Sequence, residues 1–384
     1  MIYNDYANTR SVYLHWPFCP YRCHFCPFVA LASHENFMPR YHDALKKEID
    51  LFAQKVHKKQ QLDTIFIGGG TPSTYPSDLL LDMSDKLKGI FDISEETEAT
   101  IEVNPGTVSE KQLIFWRQIG INRLSIGVQS LNNSVLHRLN RLQKAADVRR
   151  LIKQASSCFE SISIDLILGL PGVSTDEWKG LLQEVVKWPI QHVSIYFLTV
   201  HKDTRLYFDI QREKVVVPTD DVQIDLYHWS IDFLAQHGLQ QYETSNFSRA
   251  GFECKHNNVY WDRMPYKGFG LGACSFDGTT RFQNTKNLSK YLETLESGKE
   301  TTEFFEKLEP EQVRLEKIML GLRRTKGLSL EQLFEHVSDF QKKMIVKNIT
   351  WLKQKNYVEE LEGRLMLTSR AFVVQNDIVA RLSL

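Results

Sequence analysis

The sequence predicts an α/β protein whose main part is an incomplete (β/α)6 barrel, followed by a small α+β domain. Between residue 11 and about residue 200, short β-rich runs alternate with helical patterns. Such alternation is typical of a parallel sheet with helices outside. The strands are apolar almost throughout, as expected when both faces of a sheet are covered. Six units are too few for a closed barrel of eight, so we expect a barrel that is open on one side.

The strands of the predicted barrel follow one another in chain order. They correspond to "SVYLHWP", "DTIFIGGGTP", "ATIEVNPG", "NRLSIGVQS", "SISIDLILGLPG" and "HVSIYFLTV". After the first strand, Leu45, Ile49, Phe52 and Val56 fall at helical spacing, and "SDLLLDMSDKLKGIF" predicts the next helix. Function in such folds gathers at the carboxyl ends of the strands. There the sequence places cysteines after the first strand and a glycine turn after the second.

The alternation ends near residue 200. A helix near "DVQIDLYHWSIDFLAQHG" precedes a stretch rich in aromatic and polar residues. From about residue 310, two amphipathic helices and a short hairpin, "VEELEGRLMLT", indicate a winged-helix-like domain. We therefore predict the barrel in residues 1–200, a connecting region in residues 201–300 and the winged-helix-like domain in residues 301–384.

Charge and hydropathy exclude several classes of protein. The 47 basic side chains are balanced by 47 acidic ones, so we expect no nucleic acid partner and assign the C-terminal domain to packing or protein contact. No apolar run approaches the roughly 20 residues of a transmembrane helix. The opening "MIYNDYANTR" lacks the layout of a secretory signal. We expect a cytoplasmic protein whose contact with a membrane, if any, is peripheral.

Three cysteines, Cys19, Cys23 and Cys26, are clustered directly after the first strand. A structural zinc site needs a fourth ligand, which His15 or His24 could supply. A redox pair is a weaker interpretation, because the motif lacks a thioredoxin-like setting. Three thiolates fit best a 4Fe–4S cluster that leaves one iron without a protein ligand, where an exchangeable molecule can bind.

The other cysteines, Cys158, Cys254 and Cys274, share no spacing. Six cysteines in such a chain do not indicate a disulfide framework. We expect Cys158 to be a buried, inert thiol, and we favour the same interpretation for Cys274 over a thiolate ligand.

Several residues near the strand ends could contact a ligand. Gly68, Gly69 and Gly70 let the backbone approach a ligand, and Thr71 adds a hydroxyl, although a simple turn would also use glycine. Two carboxylates, at positions 102 and 165, lie in otherwise apolar strands, so each must be paired or hydrogen-bonded if it is buried. A structural ion pair is the alternative interpretation for both.

The Cys-x3-Cys-x2-Cys motif, with an aromatic residue before its last cysteine, resembles the radical S-adenosylmethionine (SAM) superfamily. The segments "YLHWPFC", "IFIGGGTPS", "IEVNPG", "RLSIGVQS", "DLILGLPG" and "YETSNF" are similar to the branch that contains oxygen-independent coproporphyrinogen III oxidase and heme chaperones. The resemblance implies that the three cysteines hold a 4Fe–4S cluster and that SAM chelates its open iron. It also implies contacts to SAM from Tyr13, Phe25, Gly69, Gly70, Thr71, Glu102, Gln129, Arg141 and Asp165. A core tyrosine is the alternative for Tyr13.

Within this branch, the sequence resembles the heme chaperones more than the oxidase. The oxidase has a further cysteine where this chain has Phe28, and a longer segment before its motif. "HNNVYW" matches the HNxxYW signature of the chaperones, which implies His256, and less strongly Tyr260, as a ligand of heme iron. The alternative is a hydrogen-bonded aromatic patch over the barrel. Pro27 and Cys274 depart from the family, which usually has an acidic residue and a histidine there.

The resemblance implies a chaperone that binds heme, a 4Fe–4S cluster and SAM and passes heme to an acceptor protein. One alternative is radical oxidative decarboxylation of coproporphyrinogen III, begun by a 5′-deoxyadenosyl radical. A second is radical methyl transfer to another substrate. The sequence leaves open the acceptor, the oligomeric state, whether SAM is cleaved and whether heme is bound covalently.

Overall fold

A computed structural model describes residues 9–56 and 58–383, so predictions that involve residues 1–8, 57 and 384 fall outside it. Its strands, in chain order, are β1 Ser11–Trp16, β2 Phe18–Cys19, β3 Leu31–Ala32, β4 Gln60–Gln61, β5 Thr64–Gly69, β6 Phe91–Asp92, β7 Glu98–Val103, β8 Arg123–Gln129, β9 Ser161–Leu168, β10 His192–Phe197, β11 Gln240–Gln241, β12 Asn246–Ser248, β13 Lys267–Phe269, β14 Cys274–Phe276, β15 Thr280–Asn284, β16 Thr302–Lys307, β17 Leu328–Ser329, β18 Val358–Leu361 and β19 Arg364–Leu367.

The α-helices alternate with these strands in the first half of the chain and dominate its C-terminal part. They are α1 Met38–Ala53, α2 Ser77–Ile90, α3 Glu110–Gln118, α4 Asn133–Arg138, α5 Ala145–Ala155, α6 Thr175–Val185, α7 Arg205–Gln211, α8 Asp220–Gln236, α9 Lys255–Trp261, α10 Leu288–Glu296, α11 Pro310–Gly321, α12 Leu330–Leu333, α13 Asp339–Gln354 and α14 Gln375–Leu382. Short 3-10 helices span Glu35–Phe37, Pro72–Thr74 and Ser369–Val374.

The largest sheet has the strand order β11-β12-β10-β9-β8-β7-β5-β1-β13. Neighbouring strands from β10 to β13 in that order are parallel. At the other end, β12 pairs antiparallel with both β10 and β11. Within the part of the chain that the structure describes, the edge strands β11 and β13 do not pair with each other. The predicted incomplete barrel is therefore confirmed.

Local sequence signals explain where several helices begin and which of their side chains are buried. In α1, the predicted Leu45, Ile49 and Phe52 are buried against the sheet. Serine begins α3, α6 and α13 in capping boxes, in which the serine side chain accepts a bond from the third helical N–H. These caps fix the starts of α3 and α6, which follow strands of the main sheet, and of α13 in the C-terminal part.

The inner face of the sheet is more polar than the apolar strands suggested. Thr64, Ser163 and His192 are buried there. His192 bonds Ser163 through Nδ1 at 2.7 Å and the Tyr242 hydroxyl through Nε2 at 2.8 Å. Because side chains alternate along a strand, the leucines and isoleucines face the helices and the polar residues face inward.

The C-terminal part follows the predicted order of helices and a hairpin. Helices α11, α12 and α13 precede the antiparallel strands β18 and β19, and β17 adds to β19. Strand β13 lies in the predicted connecting region but pairs with β1, so this region contributes an edge to the main sheet. The three predicted domain boundaries stay predictions. Every helix in the described ranges is too short or too polar to span a membrane.

Candidate functional site

A cavity of about 410 Å³ opens at the carboxyl ends of the parallel strands. It brings together most of the residues that were predicted to bind the cluster and SAM. Those that line it are Cys19, Cys23, Phe25, Cys26, Gly69, Gly70, Thr71, Glu102, Gln129, Arg141 and Asp165. These residues come from β2, the cysteine loop, β5 and the turn after it, β7, β8, the segment between α4 and α5, and β9, so the cavity exists only in the folded chain.

The cysteine loop is held by backbone contacts to two other segments. The His24 N–H donates to the Leu139 carbonyl at 3.0 Å, and the His24 carbonyl accepts from the Leu206 N–H at 2.9 Å. Phe25 packs against a hydrophobic cluster that includes Leu139 and Leu206. The sulfur atoms of the motif are thus placed by a loop that is anchored on both sides.

Burial raises the pKa of two of the three thiols. It raises the pKa of Cys19 to about 11, against the hydrogen bond that the Thr71 hydroxyl donates to its Sγ at 3.2 Å. Burial also raises the pKa of Cys26. Arg141 lies 3.6 Å from the Sγ of Cys23 through Nη1. At neutral pH the sulfurs of Cys19 and Cys26 are therefore thiols, and metal binding must displace their protons.

The arrangement fits a cluster better than a single ion. Among the described residues, no three His, Cys, Asp or Glu side chains converge as ligands of one metal ion. His15 bonds the Tyr13 hydroxyl at 3.0 Å and the Val29 carbonyl at 2.9 Å, and His24 bonds the Arg138 carbonyl at 3.0 Å. Because both ring nitrogens of His15 are engaged, His15 is disfavoured as a fourth zinc ligand, whereas the bond of His24 involves only its Nδ1.

The glycine turn after β5 lies directly against the cysteine loop. A Cβ atom on Gly70 would be 2.4 Å from the Pro17 carbonyl oxygen and 2.9 Å from the Cys19 sulfur. Gly69 has a φ of +120°, and a Cβ there would lie 2.8 Å from the His15 ring. Both positions require glycine because of close approach and backbone conformation, which a simple turn would not explain.

Glu102 and Asp165 line the inner wall of the cavity as a pair of carboxyl groups. Burial raises the pKa of Glu102 to about 8, nearby Asp165 raises it further, and the Gly69 N–H bond to its Oε2 at 3.0 Å opposes this. Burial likewise raises the pKa of Asp165, which accepts from the Ser125 hydroxyl at 3.2 Å. Neither carboxyl forms an ion pair within the described ranges, which disfavours the structural ion pair and leaves both open to a cationic ligand.

The end of β8 departs from regular strand geometry at the cavity. The register with β9 shifts between Gly127 and Gln129, and Gln129 has a φ of 65°. Arg141 donates a hydrogen bond from Nη2 to the Gly127 carbonyl and another from Nε to Gln143 at 2.9 Å. A non-glycine residue in this conformation is strained, and such strain is frequent at ligand sites.

Tyr13 lies behind the cavity rather than on its wall. Its ring is close to Gly68, where an added Cβ would lie 2.9 Å from Tyr13 and 3.2 Å from Glu102. It is therefore adjacent to a lining residue, and its hydroxyl is bonded to His15.

The HNxxYW residues lie at the opposite end of the strands. His256 is 1% exposed, and its Nδ1 bonds the hydroxyl of Thr64, the first residue of β5, at 2.7 Å. Its Nε2 bonds the Tyr260 hydroxyl at 2.8 Å, and its ring stacks on Phe66. The structure therefore does not bring His256 and Tyr260 to the cysteine cavity, and both ring nitrogens are engaged in hydrogen bonds.

Two of the cavity residues to which the sequence analysis assigned no ligand role are bonded to each other. Asn104 and Tyr21 both line the cavity, and the Asn104 Nδ2 donates to the Tyr21 hydroxyl at 2.8 Å. Asn104 follows directly after β7, and this position at a strand end was the available signal.

Among the other cysteines, Cys274 is exposed and Cys158 is half-buried, so the expectation of buried thiols was wrong for both. Their positions at the edge strand β14 and after α5 explain this.

Comparisons with known proteins agree with this geometry. Residues 13–185 match the radical SAM superfamily, and residues 308–374 match the HemN C-terminal domain. The chain is 31% identical to the heme chaperone HemW of Bacillus subtilis over 372 residues, 96% of this chain and 98% of that protein. It is 32% identical to the heme chaperone HemW of Synechocystis over 363 residues, 92% of this chain and 87% of that protein.

A solved structure gives the same fold. The coproporphyrinogen III oxidase (HemN) of Escherichia coli, described as a radical SAM enzyme, aligns with a TM-score of 0.84. The alignment covers 98% of this chain and 90% of that chain at 24% identity. At this identity the likeness shows the fold alone.

Proposed function

Because the chain belongs to the radical SAM superfamily and, within it, to the family of the heme chaperone HemW, we propose that it is itself a heme chaperone. In this proposal it binds a 4Fe–4S cluster, SAM and heme, and it passes heme to an acceptor protein. The observation that carries the proposal is identity near 30% with HemW proteins over almost the full length of both chains. Its cytoplasmic location stays a prediction.

We assign the cluster and SAM to the cavity at the carboxyl ends of the strands. Cys19, Cys23 and Cys26 would hold the cluster, and the Gly69–Gly70 backbone would meet the methionyl end of SAM. The buried carboxyls of Glu102 and Asp165 would face its cationic groups, which their lack of an ion pair supports. When bound, the cluster supplies the electron with which radical SAM enzymes cleave SAM.

Three further residues would position the cysteine loop and the wall of the cavity around the cluster and SAM. Arg141 ties the irregular end of β8 to the cysteine loop, since it contacts both Gly127 and Cys23. Gln129 lines the wall at the same point. Phe25 would limit the access of solvent to the cluster, because it lines the cavity and packs into an apolar cluster behind it.

For heme iron, His256 is our first candidate ligand and Tyr260 our second. Both ring nitrogens of His256 are engaged in hydrogen bonds, Nε2 with Tyr260 and Nδ1 with Thr64, so one of these bonds must break before His256 can bind iron. Ligation through Nε2 would cost the first of these bonds, about 1 kcal/mol, and would require the start of α9 to move. The motif therefore acts in heme binding only if α9 opens.

The position of Phe28 argues against the oxidase alternative. The oxidase has an additional cysteine there, whereas Phe28 is 66% exposed at the rim of the cysteine cavity.

The test of the chaperone proposal is a titration of reconstituted protein with ferric heme under anaerobic conditions, followed by mixing with an apo-heme protein as acceptor. We expect saturable binding near one heme per chain and movement of heme to the acceptor. Absence of saturable binding would contradict the proposal.

A further inference from the structure

Helix α9, which carries the HNxxYW motif, is held at its two ends by different parts of the chain. At its start, the Glu98 carboxylate accepts hydrogen bonds from the N–H groups of Lys255 and His256, both at 3.0 Å. Glu98 is the first residue of β7, so this contact comes from the barrel. The end of the helix is held instead by α11 and by the segment that follows α11, in the C-terminal part of the chain.

The contacts at the end of α9 are ion pairs. Asp262, which follows α9 directly, pairs with Arg324 and, at 3.2 Å, with Lys326. Arg263 pairs with Glu316 of α11 at 2.6 Å. The side chains of Arg324, Arg263 and Glu316 are only 11 to 12% exposed, so salt screens these pairs less than it screens pairs on the open surface.

Asp262 is charged in this arrangement. Burial raises its pKa, but the hydrogen bonds and charges of Arg324 and Lys326 outweigh burial and lower the pKa below its ordinary value. The guanidinium of Arg323 adds a cation–π contact, since it lies 5.6 Å from the centre of the Trp261 ring. We call the residues of the C-terminal part that hold this end of α9 the clamp: Glu316, Arg323, Arg324 and Lys326.

The segment that carries most of the clamp is fixed by its backbone. The Thr244 N–H donates to the Arg323 carbonyl at 2.9 Å, and the Thr325 N–H donates to the Tyr242 carbonyl at 3.1 Å. Tyr242 and Thr244 belong to the "YETSNF" segment, between β11 and β12 of the main sheet. Because the segment is anchored there, α9 can move away only if its ion pairs with the clamp break.

The clamp opposes both changes that heme binding at His256 requires. The helix has only seven residues, about two turns, so its start cannot move far from the barrel while its end stays fixed. Tyr260, whose hydroxyl bonds His256 Nε2 at 2.8 Å, lies in the last turn, two residues before Asp262. The ion pairs at the end of α9 therefore maintain both the burial of His256 and its bond to Tyr260.

We propose that the clamp keeps α9 closed over His256 and that its release admits heme to the HNxxYW motif. The inference rests on the proposed function, in which His256 is the first candidate ligand of heme iron. It adds how access to this motif is regulated, because the C-terminal part of the chain sets the fraction of molecules in which α9 is open. Since only open molecules bind, a weaker clamp should speed the uptake of heme.

The test weakens the clamp and measures α9 directly. Arg324→Gln removes one ion pair of Asp262, so amide hydrogen exchange over residues 255–262 should become roughly 2- to 10-fold faster, as expected for one partly exposed pair. The rate at which reconstituted protein takes up ferric heme should rise by a similar factor, with unchanged iron content. Arg150→Gln, which removes the ion pair with Asp147 on α5, is the matched control and should change neither rate.

A double-mutant cycle tests whether the effect passes through the ion pair. Asp262→Asn loses its pairs with both Arg324 and Lys326, so it should speed exchange and heme uptake more than Arg324→Gln does. Adding Arg324→Gln to Asp262→Asn should change neither rate further, because the partner is already lost. Arg324→Lys keeps the charge and should stay close to wild type.

Three results would each overturn the inference alone: unchanged exchange over residues 255–262 in Arg324→Gln, faster exchange without faster heme uptake, or additive effects in the double variant. Slower uptake together with loss of iron would show general destabilisation and would also overturn it. Absence of any heme binding by wild type would instead contradict the proposed function, on which the inference depends.

Discussion

The Thr71 hydroxyl donates a hydrogen bond to the sulfur of Cys19 at 3.2 Å, which joins the glycine turn after β5 to the cysteine loop after β1. The same two segments touch at Gly70, where no Cβ would fit beside the Pro17 carbonyl. A loop that holds an iron–sulfur cluster and a turn that approaches SAM must be in such contact if both bind in one cavity. The contact gives several consequences that can be measured.

The first prediction concerns the cluster ligands. Cys23→Ser should lose most of its iron and sulfide after anaerobic reconstitution, because two thiolates are too few anchors for a cluster with an open iron. Cys158→Ser is the matched control and should keep both. Iron and sulfide analysis, together with the visible absorption spectrum of the cluster, measures the outcome. Equal retention in the two variants, or bound zinc in place of iron, would contradict the assignment.

The second prediction concerns the glycine turn. Gly70→Ala should prevent cluster loading, because the added methyl would lie 2.4 Å from the Pro17 oxygen and push the turn away from Cys19. Gly89→Ala in α2 is the control, since a Cβ there meets nothing within 4 Å. Alanine in a helix is also favoured over glycine by up to about 1 kcal/mol. Normal iron content in Gly70→Ala would show that the two segments can separate without loss of the site.

The third prediction concerns pH in the metal-free protein. Burial raises the pKa of Glu102 from 4.5 to about 8, so the folded chain holds a proton that the unfolded chain has lost. Stability is then highest below the unfolded pKa and falls as the pH rises toward 8, by up to about 1.4 kcal/mol per pH unit. Urea unfolding at pH 6 and pH 8 should show this decline in wild type and a smaller one in Glu102→Gln.

Exposed Glu293→Gln is the control for this experiment and should show the full decline. A decline of equal size in Glu102→Gln would mean that another group, such as the neighbouring carboxyl of Asp165, binds the proton. That result would show that Glu102 is not the group that holds the proton, although the pair of carboxyl groups would still bind one.

The fourth prediction concerns the ligand of heme iron. If His256 ligates, His256→Ala should weaken heme binding and change the visible spectrum, while the cluster stays loaded at the other end of the strands. Tyr260→Phe removes only the hydroxyl and should have a small effect, or a modest gain, since it frees His256 Nε2. A large effect at 260 with none at 256 would indicate a phenolate ligand. Unchanged affinity and spectra in both variants would exclude this motif as the iron ligand.

The strands, the main helices and the cysteine site could be predicted because their signals are local. Apolar runs that end in glycine or cysteine, and the period of Leu45, Ile49 and Phe52, need no knowledge of distant contacts. The position of His256 was not predictable in this way. It depends on its bond to Thr64, which lies far away in the sequence and at the amino end of its strand.

The surroundings of Arg123 could not be predicted from the sequence either. In the sequence it is an ordinary polar residue at the start of a strand, and any carboxylate could be its partner. Only the fold shows that Arg123 is buried and that Glu98, at the start of the neighbouring strand, accepts hydrogen bonds from the backbone of α9. Likewise, Cys274 was expected to be buried, and its exposure follows from the placement of β14 at a sheet edge.

The most direct test of the heme chaperone assignment measures two activities on one sample. Anaerobically reconstituted protein is divided, and one part is titrated with ferric heme while the other receives coproporphyrinogen III, SAM and a reductant. We predict saturable binding of heme that can be transferred to an apo-heme protein, with no multiple-turnover decarboxylation. Repeated conversion of coproporphyrinogen III to protoporphyrinogen, without saturable heme binding, would contradict the account and identify the chain as an oxidase.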